Sequence, residues 1–589
     1  MRFSVPHAVM LLVCVGSVAL ASAAPWGLRA SARSDATPNA TVAPSFPIEI
    51  VGDADLTPAN GVVGGTGTES NPFIITVTTW GSHSQGSPQA CLSIDSTTAH
   101  IVVNASSCVP PSGQSLTAGF HVHNATYVTF NQSIVQGIRG GASTSPVAGI
   151  RANQTMSVSV MGCSISDVTG TAGASGAAAG DAGSDGGEAY GVHIVGPLQV
   201  QVTQCTVANV SGGHGGKGAG GDFSHHEAGP GGLGGQAGGV VLEGGPLFAH
   251  LSQYGVSSDV VVHVDAVSVD RVTGGKGGAG GQSHRSSGDT GPTGGTGGAA
   301  VGVACLDSAS GYIPATPFST AVTLFRSAVA DVQGGTGGTG GPGVVGYHGG
   351  DGGVGGTGGE ATAVGLVCTQ FSNGTASISY STVDSVAGGA GGSGSAGAVG
   401  ARSGGSGGAG GVGGSVFGVH SEFKSHVVSS VLRGLFGGVG GKGSSGAVAG
   451  GVGGNGGAGG AGWGLFLANS EFVVEAANVT VAGGKGGASS AGALGGSSGS
   501  GGNGGAAVGV FVAPVTSPNV VAENVCSVTG GNGGAGGGGA GGNGGSATGL
   551  DLQLTGIQHS ANALTTQGGA GGSGATGGTG GSSQGCDGC

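Results

Sequence analysis

A glycine followed by an apolar residue returns along this chain at Gly119-Phe120, Gly149-Ile150, Gly191-Val192, Gly239-Val240, Gly302-Val303, Gly365-Leu366, Gly418-Val419, Gly464-Leu465, Gly509-Val510 and Gly549-Leu550. The segments Gly149 to Gly170 and Gly191 to Gly212 align without a gap. Ile150 meets Val192, and Met156, Val158 and Val160 meet Leu198, Val200 and Val202; Cys163 meets Cys205 and Ile165 meets Val207. The middle run alternates apolar and polar at period two, the mark of a strand with one buried face. A unit of about 22 residues with three short strands cannot bury its own apolar face. Stacked on copies of itself it can, which is the logic of a β-solenoid.

Glycine-rich inserts separate the units, always at the same point. Most go out and come back: Gly212 to Gly221 and Gly229 to Gly239 flank a polar tip, as do Gly274 to Gly281 and Gly291 to Gly298, with His284, Arg285 and Asp289 in the second tip. Gly334 to Gly343 pairs with Gly352 to Gly359, and Gly404 to Gly414 and Gly450 to Gly460 are long return arms. Glycine supplies 145 of 589 residues and only 7% are charged. Composition alone reads as low-complexity disorder, yet a disordered chain normally stays soluble through charge. Within the arms the period is three, Gly-Gly-X, and a flexible linker has no use for a strict triplet. Two outcomes stand open: floppy loops, or an ordered bundle of polyglycine-II-like helices, three residues per turn, along one edge of the solenoid.

The ends read as a secretory chain. Arg2, the apolar stretch Ala8 to Leu20 and Ala21-Ser22-Ala23 form a signal peptide over residues 1–23. Residues 24–44 read as a disordered linker, 45–118 as a cap with first strands, 119–567 as the solenoid and 568–589 as a glycine-rich tail. Acceptor sequons stand at Asn39, Asn104, Asn124, Asn131, Asn153, Asn209, Asn373 and Asn478. Together these predict a secreted, extracellular or cell-surface glycoprotein. No later stretch is long and apolar enough to span a membrane. The net charge of −13 and the lack of a basic stripe with interleaved aromatics argue against nucleic acid as a partner.

The segment Ile48 to Ile75 carries Asn60-Gly61-Val62, Gly64 to Thr68 and Asn71-Pro72-Phe73. It resembles the opening of secreted proteins of the pectin-lyase-like superfamily, in particular surface proteins with periplasmic copper-protein-type repeats. The resemblance implies a cap that opens a right-handed parallel β-helix, so the expected fold is an all-β helix of this kind with about ten coils. The superfamily holds polysaccharide lyases and hydrolases beside non-enzymatic adhesion proteins, so the fold assigns no function.

Asp167, Asn209, Asp270, Asp331 and Asp384 precede the inserts at similar positions and form a candidate acidic ladder. Such residues also start turns by bonding local backbone N–H groups, and no acid triad with a basic partner recurs. Arg151, Arg271, Arg326, Lys424 and Arg433, the basic residues near coil strands, share no register. No catalytic or metal residue and no cofactor is therefore assigned, and cleavage of polygalacturonate is not expected. His214, His225, His226 and Glu227 read as a solvated loop cluster without metal-ligand spacing. His193 and His420 follow the same Gly-Val start but should not touch. With Cys14 lost in the signal, nine cysteines remain. Cys91 with Cys108, and Cys586 with Cys589, read as local disulfides; Cys526 has no evident partner. Cys163 with Cys205 and Cys305 with Cys368 read as two stacked ladders of buried thiols, a bridge being the lesser option. The expected function is structural or adhesive, without catalysis, with extracellular glycans or matrix as partners and self-association open. The rivals are a carbohydrate-active enzyme or glycan-binding module, and an ice- or crystal-surface binder.

Overall fold

The alternation within each unit becomes three strands per coil. In the unit opened by Gly149 they are Val147–Asn153, Ser157–Met161 and Ser164–Thr169, and in the next Ala189–Val195, Gln199–Thr203 and Thr206–Ser211. The computed structural model describes residues 45–80, 89–141, 145–221, 227–244, 260–283, 289–306, 320–367, 374–447, 450–468, 471–475, 477–513, 520–553, 558–560 and 562–587. The signal and linker, Asn39, Asn373, Cys368, Cys589, His225, His226, His284 and Arg285 lie outside the described residues.

First strands stack on first strands, second on second and third on third. Sheet 1 has 13 strands from Ile48–Val51 to Ser583–Asp587, sheet 2 has 13 from Val62–Gly64 to Gln558–Ser560, and sheet 3 has 11 from Ser107–Cys108 to Ala563–Gln567. Pairing is parallel except between Val62–Gly64 and Phe73–Ile75. The chain is thus a nearly all-β solenoid of three parallel sheets. The alignment read from the sequence is the observed register: Ile150 pairs with Val192, Val158 with Val200 and Ile165 with Val207. Val, Ile and Leu from the three sheets fill one continuous core; near the N-terminal end Phe120 stacks on Phe130 and meets Phe46 at a tilt. Among the described residues no helix is long and apolar enough to cross a membrane.

Three departures from the sequence reading stand out. Ser583–Asp587, expected in a tail, pairs with Ala547–Leu552 as the last strand of sheet 1. At the Gly365 unit the start is displaced by two: Ala304 pairs with Gly365, and a Cβ built on Gly302 meets the backbone of Ala363. The column needs a small residue, not a glycine as such, and Ala363 supplies it. Cys305 therefore pairs with Leu366, and it is disulfide-bonded to a cysteine outside the described residues instead of standing in a thiol ladder.

The corners obey backbone rules that override side-chain chemistry. Many turns place one residue in the left-handed region: Ser96, Asn124 and Gln154 after sheet 1, and Gln132, Gln204, Arg326 and Ser429 after sheet 2. A third left-handed position interrupts the strands of sheet 3 at Asp167, Asn209, Arg271, Asp331, Ser385 and Gly434. Asn and Asp tolerate this conformation best, which explains the acids found there. The residue after the second turn points inward, and its N–H is met by a side chain of the following coil. Ser106 N–H donates to Ser133 Oγ, Cys163 N–H to Cys205 Sγ, Val267 N–H to Ser327 Oγ, Ser327 N–H to Ser381 Oγ and Ala477 N–H to Asn524 Oδ1. Cys163 and Cys205 are free and buried, as the stacked-thiol reading holds, and they serve this polar ladder. Their mutual hydrogen bond and burial push the Cys163 thiol up, and burial alone pushes Cys526 up to about 12.

The inserts leave after sheet 3 and return into sheet 1. Between neighbouring arms the N–H of the first glycine of each triplet donates to the same arm of the next coil: Gly274, Gly277 and Gly280 to the carbonyls of Gln333, Thr336 and Thr339 at 2.8–2.9 Å. The second glycine donates to an antiparallel arm: Gly275, Gly278 and Gly281 to Gly235, Gly232 and Gly229. Returning arms repeat the pattern, with Gly294 and Gly297 bonded to Val354 and Thr357, and Gly295 and Gly298 to Gly278 and Gly275. Two columns of arms result, outgoing and returning, with glycines inside and X residues outside; Gly337 and Gly338 are buried while Thr339 is exposed. A Cβ at Gly338 would collide with the carbonyl oxygen of Gly278, whereas one at Gly577 in the last layer meets nothing. Gly338→Ala should therefore lower the unfolding free energy by about 1–3 kcal/mol, as overpacking does. Gly577→Ala should stay within about 0.5 kcal/mol of the parent in the same denaturation measurement.

Candidate functional site

Residues facing outward from sheet 1 fall into two columns fixed by the parallel register. One column reads Ser93, His121, Arg151, His193, Val241, Ala304, Gly365, His420, Phe466, Phe511 and Asp551. The other reads Ala148, Tyr190, Gly238, Val301, Thr362, Phe417, Trp463 and Val508. Polar groups gather at the N-terminal end and rings at the C-terminal end, with small residues between.

The polar end is a cavity of about 600 Å³ lined by His123, Arg151, Asn153, Glu188, Tyr190, His193 and Glu243 among others. Tyr190 stacks on His193 at 4.4 Å and its hydroxyl donates to Glu188 Oε2 at 2.8 Å. Burial, then the nearby Glu188, hold that phenol above its usual range. His193 is only 3% exposed, and its Nε2 stands 3.2 Å from Glu243 Oε1 without making a hydrogen bond. Both ring nitrogens of His193, Arg151 Nε and Asn153 Oδ1 are buried with no hydrogen-bond partner. Unpaired buried polar atoms are costly, and these four converge on one cavity. Burial and the adjoining Arg151 and His123 hold His121 below the ordinary imidazole range.

A smaller cavity of about 150 Å³ continues the trough, sharing Gln236 and Leu306 with the first and reaching Glu360, Thr362, Gly365 and His420. Burial raises the Glu360 carboxyl above its usual range. Beyond His420 lie the rings. Phe417 stacks on Trp463 at 6.2 Å and on His420 at 5.1 Å; Phe466 stacks on Phe511 at 4.8 Å and meets Trp463 edge-on at 5.4 Å. All five are partly exposed. His193 and His420 share one column with three residues between them and do not touch.

The acidic ladder does not exist as one column. Asp167, Asn209 and Asp331 occupy the left-handed column of sheet 3, whereas Asp270 and Asp384 lie one residue earlier in their strands. Asp167 accepts from Gln136 at 3.0 Å and Asn209 at 2.9 Å, which together with Ser166 and Arg271 hold its carboxyl below the usual range. Asp270 pairs with Arg271, Asp384 with Arg433 and Asp265 with Arg326. Of these groups Gln136, Asp167, Asn209 and Arg271 line an open groove of about 720 Å³ with Arg139, where the Asp167 carboxylate is already bonded to Gln136 and Asn209.

His214 Nδ1 accepts the N–H of Lys276 in the next layer. Among the described residues no group of three His, Cys, Asp or Glu side chains could hold a metal ion. Cys91 and Cys108 form a disulfide, with Cα atoms 6.0 Å apart. Cys586 is disulfide-bonded to a cysteine outside the described residues. Sequence reasoning missed the trough, because its residues come from eleven strands spread over the chain. The signal was there in the residue two after each starting glycine: Arg151, His193, His420, Phe466 and Phe511 all hold that place.

His121 and His420 are both buried toward the neutral form. Their folded-state affinity for protons is below that of the unfolded chain, whose imidazoles titrate near 6.5. Stability is then fully present above 6.5 and declines as pH falls below it. The thermal midpoint should drop between pH 7.5 and 5, and His420→Phe, placed among rings, should shrink that drop. A midpoint flat over this range contradicts the burial argument.

No family model matches this chain, and no curated protein matches it.

Proposed function

We propose that this protein is a secreted or cell-surface structural and adhesive protein, built as a right-handed parallel β-helix of the pectin-lyase-like kind, that holds an extended glycan along the outer face of sheet 1. The observation that carries this reading is the trough, where orphaned polar atoms at one end lead to an aromatic platform at the other. A sugar ring presents hydroxyls at its edge and C–H groups on its face. Arg151, His193, Asn153 and Glu243 suit the first, and Trp463, Phe417 and Phe511 suit the second. From the Arg151 strand to the Trp463 strand is six strand spacings, roughly 29 Å, room for several sugar residues in line.

In this reading the glycine arms are a polyglycine-II-type lattice that stiffens the solenoid and widens it into a slab. The three-residue period, the absence of helix or strand along the arms and the bonds from every triplet to neighbouring arms support it. The role assigned is binding, and no catalytic step is derived from these residues.

A glycan array combined with a depolymerisation screen tests the proposal. The mature protein should bind extended glycans and release no fragments. Trp463→Ala with Phe511→Ala should weaken binding by tenfold or more, about 1.4 kcal/mol. Absence of glycan binding would sink the reading, and release of oligosaccharides would transfer the trough to an enzyme.

A further inference from the structure

The two faces of the glycine slab carry opposite charge. On the outgoing arms the X positions stack in columns set by the bonds from each layer to the next: His214, Lys276, Thr336, Ala390, Val439, Lys485, Asn532 and Ala570 in one, and Lys217, Ala279, Thr339, Ser393, Lys442 and Ala488 in its neighbour. Lys217, Lys276, Lys442 and Lys485 are all exposed, and the described outgoing arms from Gly212 onward hold no acid. The returning arms are the reverse. Through the first four layers this side carries Asp181, Asp185, Glu188, Glu227, Asp289, Asp351 and Glu360, and Arg402, at the tip of the fifth, is its one basic residue among the described residues.

Local structure does not require this segregation. Asp185 and Asp351 accept the N–H of Leu233 and Ser406 in the following layer. Asn455, Asn503 and Asn543 do the same work on the same face without charge. On the lysine face that work is done by His214 and Asn532, never by an acid. The charge is thus additional to what the lattice needs.

We propose that the lysine face of one chain docks on the acidic face of a second copy, so that slabs associate head to tail. Two unlike faces on one molecule make a heterologous contact, which propagates instead of closing as a dimer. A contact between two lysine faces is opposed by like charge. At about 3.1 Å per arm residue and about 4.8 Å per layer, each face covers roughly 1,000 Å², comparable to one partner's share of a standard protein interface. Lys276 and Lys485 stand four layers apart in one column, as do Lys217 and Lys442 in the next, roughly 19 Å, beyond the screening length of about 8 Å. Lys217 and Lys276, like Lys442 and Lys485, stand closer, one layer and one triplet apart at roughly 10 Å, still outside that length, so the lysines repel one another little. Exposed ion pairs contribute only about 0–1 kcal/mol each, so the association should be weak, multivalent and sensitive to salt.

Sedimentation velocity on the full mature chain tests this. The parent protein should form concentration-dependent oligomers at low ionic strength and return to monomer in molar salt. A variant with Lys217→Glu, Lys276→Glu, Lys442→Glu and Lys485→Glu should stay monomeric and keep the parent's thermal midpoint, since these side chains are exposed. The same four changes to Gln give the reading if the Glu set does not fold. Because the variant keeps its acidic face, adding it in excess should shorten parent oligomers to capped pairs. A parent that is monomeric at low salt, or oligomers indifferent to both variants, overturns the proposal.

Discussion

The arms approach one another so closely that a Cβ has no place between them. At one glycine after another, from Gly213 to Gly581, an added Cβ would strike a carbonyl group of the neighbouring arm. That closeness is what lets each triplet donate two backbone hydrogen bonds. Fixing a residue costs about 1–2 kcal/mol, and more for glycine, while each bond returns about 0.5–1.5 kcal/mol. A single pair of arms cannot offset its own ordering. The solenoid resolves this by launching every arm from the same corner at a fixed spacing, so that each new layer adds bonds on three sides to arms already in place. The β-helix is the template, and the glycine content follows from the lattice it templates.

The solenoid imposes equally strict terms at its corners. Many coils turn through left-handed residues, and the N–H exposed after the second turn must be met from the next coil. Ser133, Cys205, Ser327, Ser381 and Asn524 answer that need with the same geometry and different chemistry. The free thiols of Cys163 and Cys205 are thus explained by backbone satisfaction, with no redox role invoked. Asp167, Asn209 and Asp331 are likewise explained by the conformation their backbone adopts. Polar residues that looked like candidates for chemistry turn out to be answers to backbone problems, while in the trough polar atoms of Arg151, Asn153 and His193 remain unanswered.

Much of the fold was legible from two units, because Gly149 to Gly170 and Gly191 to Gly212 keep the same length and so preserve register through all three strands. Legibility failed where a different residue satisfied the same constraint. Ala363 fills a column that glycine fills elsewhere, and following glycine alone moved that coil by two residues. It failed again at the acids of sheet 3, where one residue of offset separates Asp270 and Asp384 from Asp167 and Asp331. The trough was least visible, because inserts of varying length scatter its residues from Ser93 to Asp551, and only the stacked register gathers them. The opposed charges of the slab were hidden for the same reason, since out and back are distinguishable only once the arms are placed.

The central claim is that the glycine arms are an ordered, hydrogen-bonded lattice raised by the solenoid. Amide hydrogen exchange resolved along residues 334–359 and 404–414 measures it directly. The account predicts slow exchange at Gly335, Gly338, Gly356 and Gly411, approaching that of the sheet 3 strands, because their N–H groups are bonded to other arms. Exchange at the rate of an unstructured peptide throughout both stretches, beside protected strands, would contradict it and leave a solenoid with loose glycine loops.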